Sequence, residues 1–134
     1  MTRKAEETNA IKGGEFLTAD LAPEDIFTPE EISEEQRMFA RTAEEFLRKE
    51  VIPREDEIYA KNYATHRELM RKAGELGLLS IDIPEAYGGL GLHKVSSAIV
   101  GEQFALQSSF AGTQSAQVNI GTLPIVFFGT EAQK

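Results

Sequence analysis

Hydrophobic positions recur at helical spacing over much of this chain, and polar residues mark where the helices begin. Ile32, Phe39, Ala43, Phe46 and Leu47 form one stripe, while Glu34, Arg37, Arg41, Glu44 and Lys49 point the other way. Two start signals compete for this first helix: Thr28-Pro29-Glu30-Glu31, a hydroxyl cap followed by Pro, and Ser33-x-x-Gln36. Pro53 is expected to stop it, and the polar residues 54–64 to hold a half-turn. Thr65-x-x-Glu68 reads as another capping box; Leu69, Ala73 and Leu76 form the buried stripe behind it, and Gly77 ends that helix. Leu79, Ile81 and Ile83 then alternate as a short extended segment closed by Pro84, and Gly88, Gly89 and Gly91 impose tight turning.

Further helices are predicted near residues 94–106, with Val95, Ala98, Ile99 and Ala105 inward, around 109–119, and from Thr122, with Pro124 in its first turn and Gly129 as stop. Residues 103–130 carry no charge, which predicts helices covered on most sides. Residues 1–27, interrupted by Gly13-Gly14 and Pro23, read as an extended arm with a short helix near its start and with Phe16, Leu17, Leu21, Ile26 and Phe27 as anchors. Thr130-Glu131-Ala132-Gln133 is a helix start with the chain ending one residue later. Nucleating a helix without propagating it is unfavourable, so a truncated polypeptide is expected. The fold class that follows is all-α: a compact bundle of about five or six helices with one short extended Pro/Gly-rich insertion.

Composition narrows the functional classes. A formal net charge of −8 lacks the basic footprint of nucleic-acid binding. There is no Cys, hence no disulfide framework or thiolate chemistry. No apolar run reaches the roughly 18 residues of a membrane span, and the N-terminus lacks a secretory pattern, so a soluble, cytoplasmic protein is expected.

Candidate chemistry is sparse. Gly88-Gly89-x-Gly91 invites a phosphate loop, but no Lys-Ser/Thr follows, and a structural turn is favoured. His66 and His93 have no companion ligands at metal-site spacing, and Ser96, Ser97, Ser108 and Ser109 have no plausible His partner. Glu102, flanked by Ile99 and Ala105, is the tempting general base, yet nothing places it beside a substrate proton. No catalytic, cofactor-binding or metal-binding residue is therefore nominated.

Several blocks in order carry a resemblance. Gly77-Leu78 followed by Pro84-Glu85-x-Tyr87-Gly88-Gly89-x-Gly91, then Glu102-x-x-Ala105, Gly121-x-x-Pro124-Ile125 and Phe128-Gly129-Thr130-Glu131-x-Gln133-Lys134, together with Glu34-Glu35-Gln36 and Val51-Ile52-Pro53 upstream, resemble the N-terminal helical domain of the acyl-CoA dehydrogenases over residues 28–134. Gly13-Gly14-x-Phe16-Leu17 is similar to the branch acting on long and very long acyl chains. The resemblance implies a parent enzyme with FAD, lacking here its middle β-domain and C-terminal α-domain, that oxidises an acyl-CoA to a trans-2-enoyl-CoA in fatty-acid β-oxidation. It also implies electron-transferring flavoprotein as acceptor and a homo-oligomeric parent.

The catalytic Glu of such enzymes lies in the missing C-terminal part, so this piece alone is expected to be inactive and without flavin. In relatives the helix before Gly-x-x-Pro-Ile lines the far end of the acyl pocket. That register nominates Thr113, Ala116, Gln117 and Ile120 as substrate-binding, with ordinary helix packing as the competing explanation. Gln117 in an alkyl tunnel would need a hydrogen-bond partner. An acyl-CoA oxidase or flavin monooxygenase of the same superfamily, or a non-catalytic helical interaction module, remains the alternative function.

Overall fold

Caps and prolines mark several of the helix starts among the described residues and the places where helix pitch changes. The computed structural model describes residues 14–22, 24 and 26–134, without the side chain of Phe16. The helix expected near the chain start, and Gly13, Phe16 and Pro23 as punctuation or anchor, lie outside what is described. The chain divides into two units, Met1–Ile32 and Ser33–Lys134. In the first, short 3₁₀ turns form at Glu15–Leu17 and Pro29–Glu31, and the Thr28 amide donates to Glu31 Oε2 at 2.9 Å. Both competing start signals are thus used, one for this turn and the other for the first α-helix.

The second unit is an all-α bundle. Helix α1 (Glu34–Phe46) opens on the Ser33 box, with Ser33 N donating to Gln36 Oε1 (2.9 Å) and Gln36 N to Ser33 Oγ (3.2 Å). Pro53 does not stop it. The helix widens into a π-segment, Leu47–Val51, tightens through Ile52–Arg54 and continues as α2 (Glu55–Tyr59). A second π-segment, Ala116–Thr122, stands just before Pro124. Proline lacks an N–H and crowds the carbonyl four residues back, and a wider i→i+5 turn absorbs that mismatch without ending the helix.

Helix α3 (Tyr63–Glu75) is capped by Asn62, whose Oδ1 accepts from the amides of Ala64 (3.1 Å) and Thr65 (3.4 Å). The Thr65 box is not used. Thr65 is buried and its hydroxyl donates to Glu57 instead of serving as a local cap. Leu69 and Ala73 are buried as expected, but Leu76 is 44% exposed. Leu76 is the last residue of the turn, and the chain leaves through Gly77 (φ 77°), with Leu78 N reaching Ala73 O (3.0 Å) and Gly77 N reaching Gly74 O (2.9 Å). This double closure makes Leu78, not Leu76, the apolar residue that seals the helix end.

The Pro-containing insertion follows as consecutive turns, and among the described residues no strand forms. Its later half folds back on its earlier half: Leu90 N donates to Ser80 O (3.0 Å), Leu92 N to Ile81 O (2.9 Å) and Gly91 N to Ile83 O (2.8 Å). Leu78 and Ile81, three residues apart, are the ones that reach the core.

Helix α4 (Lys94–Phe104) buries Ser96, Val100 and Phe104; Val95 and Ile99 are half-buried, and Ala98 and Ala105 exposed. This helix has almost no charged face, so its periodicity leaves the inward side open, and packing on α1 settles it. Gln36 Nε2 lies 3.4 Å from Ser96 Oγ, and the rings of Phe46, Phe104 and Phe110 meet at 5.7–6.3 Å between centroids. Helix α5 (Ser108–Ser115) supplies Phe110 to that trio, and α6 (Leu123–Phe128) follows the second π-segment. Among the described residues the uncharged stretch is not covered throughout: Leu106, Ile120, Ile125, Phe127 and Phe128 are all exposed. The Thr130 start signal closes one turn, with Gln133 Oε1 accepting from Thr130 N at 2.9 Å.

Candidate functional site

Helices α3 and α5 each have a buried side and an open side, and the open sides face a common groove. On α3, Thr65, Leu69 and Ala73 point into the core, which turns His66, Arg67, Met70 and Arg71 outward together. On α5, Phe110 and Gln114 are buried, and Ser109, Gly112, Thr113 and Ala116 share the opposite side at helical spacing. Gln107 Oε1 caps α5 by accepting from Phe110 N (2.7 Å), and Gln114 Nε2 donates to Leu78 O (3.3 Å), fixing the helix to the end of α3. The groove between them has a volume of about 970 Å³ and is completed by Leu79 and Gln117.

Three of the four nominated residues, Thr113, Ala116 and Gln117, line this groove. Ile120 does not, and its side chain is 79% exposed. The nomination assumed an α-helical step of about 100° per residue. Through the π-segment each residue advances by less, so Ile120 leaves the line of Thr113 and Ala116. Two polar side-chain atoms on this wall have partners within the chain. Thr113 Oγ1 donates to Ser109 O (3.3 Å), and Gln117 Nε2 lies 3.4 Å from Thr122 Oγ1. Gln117 thus has one partner, through its amide nitrogen. At Gly112 an added Cβ would meet nothing within 4 Å, so the groove is open there.

The α3 wall, by contrast, is not legible from the sequence as a site. Basic residues opposite a buried stripe look like an ordinary solvated face, and only the position of α5 turns them into a lining. A network of charges holds this wall in place. Arg54 pairs with Glu57 (3.2 Å) and Glu68 (3.0 Å), and Lys72 with Glu50 (2.7 Å) and Glu68 (3.3 Å). Arg54, and then Thr65, hold the Glu57 carboxyl below its ordinary range; Arg54 and Lys72 do the same to Glu68. The two cations are correspondingly raised by their acidic neighbours.

Other candidates lie elsewhere. Glu102 is exposed on α4 and does not line the groove. The glycine loop does not fit a dinucleotide pyrophosphate, because its amides are spent on itself: Gly88 N donates to Glu85 O, Gly89 N to Pro84 O and Gly91 N to Ile83 O. Among the described residues no group of three or more His, Asp or Glu is placed to hold a metal ion, and no helix is long and apolar enough to cross a membrane.

Comparison with known proteins decides the kinship. The family profile described as Acyl-CoA dehydrogenase, N-terminal domain, matches residues 33–134. This chain belongs to the acyl-CoA dehydrogenase family. A probable acyl-CoA dehydrogenase of Bacillus subtilis (strain 168) is 46% identical over 134 residues, all of this chain and 22% of that protein. The mitochondrial isovaleryl-CoA dehydrogenase of Pongo abelii is 35% identical over 105 residues, 77% of this chain and 25% of that protein. Among solved structures, the acyl-CoA dehydrogenase of Bacillus anthracis complexed with FAD superposes with a TM-score of 0.88 at 47% identity, covering 92% of this chain and 22% of that one. The chain thus spans about a fifth of the length of these bacterial relatives.

Proposed function

We propose that this chain is the N-terminal α-helical domain of a larger FAD-dependent acyl-CoA dehydrogenase, and that its part in the reaction is to hold the alkyl tail of the substrate. The overall reaction takes a proton and a hydride from adjacent carbons of an acyl-CoA and leaves a trans-2-enoyl-CoA. In this reading the base, the hydride acceptor and FAD belong to the remainder of the enzyme. What this chain's residues do is bind and exclude water. Met70, Leu79 and Ala116 give the groove apolar surface, and Thr113 Oγ1 and Gln117 Nε2 already have partners within the chain. The observation that carries this reading is the groove itself, whose lining includes three of the residues nominated by family register. The open space at Gly112 supports a preference for long chains. A homo-oligomeric, cytoplasmic parent that passes electrons to electron-transferring flavoprotein completes the proposal, on the family resemblance.

The test uses the full-length enzyme carrying this domain, with anaerobic flavin bleaching followed on adding butyryl-CoA or palmitoyl-CoA. Gly112→Leu should cut the rate with palmitoyl-CoA by about tenfold or more and spare butyryl-CoA. Flavin that no acyl-CoA bleaches would overturn the assignment. An unchanged palmitoyl-CoA rate in the variant would remove the groove from it.

A further inference from the structure

The two walls of the groove differ in charge. The α5 wall carries none, whereas the α3 wall carries Arg67 and Arg71 beside His66, and no carboxylate is among the lining residues. Basic side chains gathered on one wall are notable in a chain of net charge −8. Arg71 is paired along the helix with Glu75. Arg67 makes no ion pair among the described residues, and the two acidic residues of α3, Glu68 and Glu75, pair with other cations. Beside it, His66 Nδ1 is shielded from solvent and has no hydrogen-bond partner among the described residues. A cation without an ion pair among the described residues therefore lines the groove beside the His66 ring, opposite an uncharged wall. A plain hydrocarbon would leave Arg67 as it is; a chain ending in an anion would pair with it.

We infer that this groove takes acyl chains whose far end bears a carboxylate, with Arg67 as the anchoring cation and His66 beside it, an inference that rests on acyl binding by the groove proposed above. Hydrocarbon lies along Met70, Leu79 and Ala116 while the terminal carboxylate meets the guanidinium, which can offer two parallel N–H donors. Arg67 here is a specificity residue. It discriminates among chain ends and takes no part in bond making.

The experiment is a binding titration of the 134-residue chain followed by NMR, with dodecanoate as the probe and dodecanol as its uncharged counterpart of equal length. The expected result is that dodecanoate binds about fivefold more tightly than dodecanol, as suits a partly exposed ion pair. In Arg67→Gln that advantage should vanish while dodecanol binding is unchanged, and high salt should shrink it in the wild type. Equal binding of the two probes, or an advantage that survives Arg67→Gln, overturns the inference and leaves the groove as a plain alkyl site. If neither probe shifts the resonances of Met70, Leu79 or Ala116, the acyl-binding role of this groove falls, and the inference with it.

Discussion

Phe104 shows what a single residue does here. It is fully buried and makes edge or tilted contacts with Phe46 of α1 and Phe110 of α5, at 6.3 and 5.7 Å between centroids, so one ring ties three helices together. Phe104→Ala should lower unfolding free energy by about 3–5 kcal/mol, measured by urea denaturation, because the surrounding helices cannot collapse onto the void. Thr65 teaches a different lesson. Its sequence context, hydroxyl then Glu68 three residues on, suits a cap, yet the side chain serves a long-range bond to Glu57 and accepts from Arg54 Nη2 at 3.1 Å. Asn62, three residues earlier, takes the capping task with no capping-box partner behind it. A short polar side chain fits a cap and a buried tertiary bond equally well, and only the neighbours brought by folding choose between them.

At the scale of elements, prolines and glycines act through geometry that can be tested. Gly89 sits where the insertion doubles back, and an added methyl there would overlap the Ile83 carbonyl oxygen and Cβ. That carbonyl also accepts from Gly91 N at 2.8 Å, so it cannot move aside without breaking the fold-back. Gly89→Ala should therefore destabilise by about 1–3 kcal/mol, as for other overpacked sites. Gly101, inside α4 with open space around it, is the control: Gly101→Ala should stabilise by about 0.5–1 kcal/mol, since only the glycine's backbone freedom is lost. Thermal melts of both variants check the pair. If both shift the melting temperature in the same direction, close approach at Gly89 is not what the loop requires. The π-segments before Pro53 and Pro124 follow the same logic, because each proline reshapes the helix behind it and so turns the residues of that helix.

For the whole molecule, charge pairing fastens α3 to the α1–α2 arm and so keeps the groove's basic wall in place. Glu57 and Glu68 are held below the ordinary carboxylate range by Arg54, helped by Thr65 and Lys72 respectively. In the unfolded chain these carboxyls titrate near about 4.3, so on acidification the unfolded state takes up protons first. Their contribution is complete above that pH and is lost as pH falls through the lower folded values. Melting temperature should accordingly drop between neutral pH and about pH 3. The double variant Glu57→Gln, Glu68→Gln should melt lower at neutral pH and lose less on acidification. An acid profile identical to wild type would show that other carboxylates set it. The pairs are half-exposed, so the effect is modest and should weaken in salt.

Much of this was legible in the chain itself. Helical class, the Ser33 cap, the Gly77 exit, the Gly129 stop and the ordered blocks of the family follow from local chemistry: which side chain satisfies an amide, which residue tolerates a left-handed turn. The α5 side of the groove was legible through register, as far as the helix kept its ordinary pitch. Ile120 left that line because a widened turn follows from how Pro124 fits into a packed helix, which spacing alone does not specify. The inward face of α4 was undetermined for want of a charged side to exclude, and contacts with α1 and α5 chose it. The basic α3 wall became part of a site only when α5 was laid opposite it, since two separate helix faces form a groove through tertiary packing and through nothing local to either.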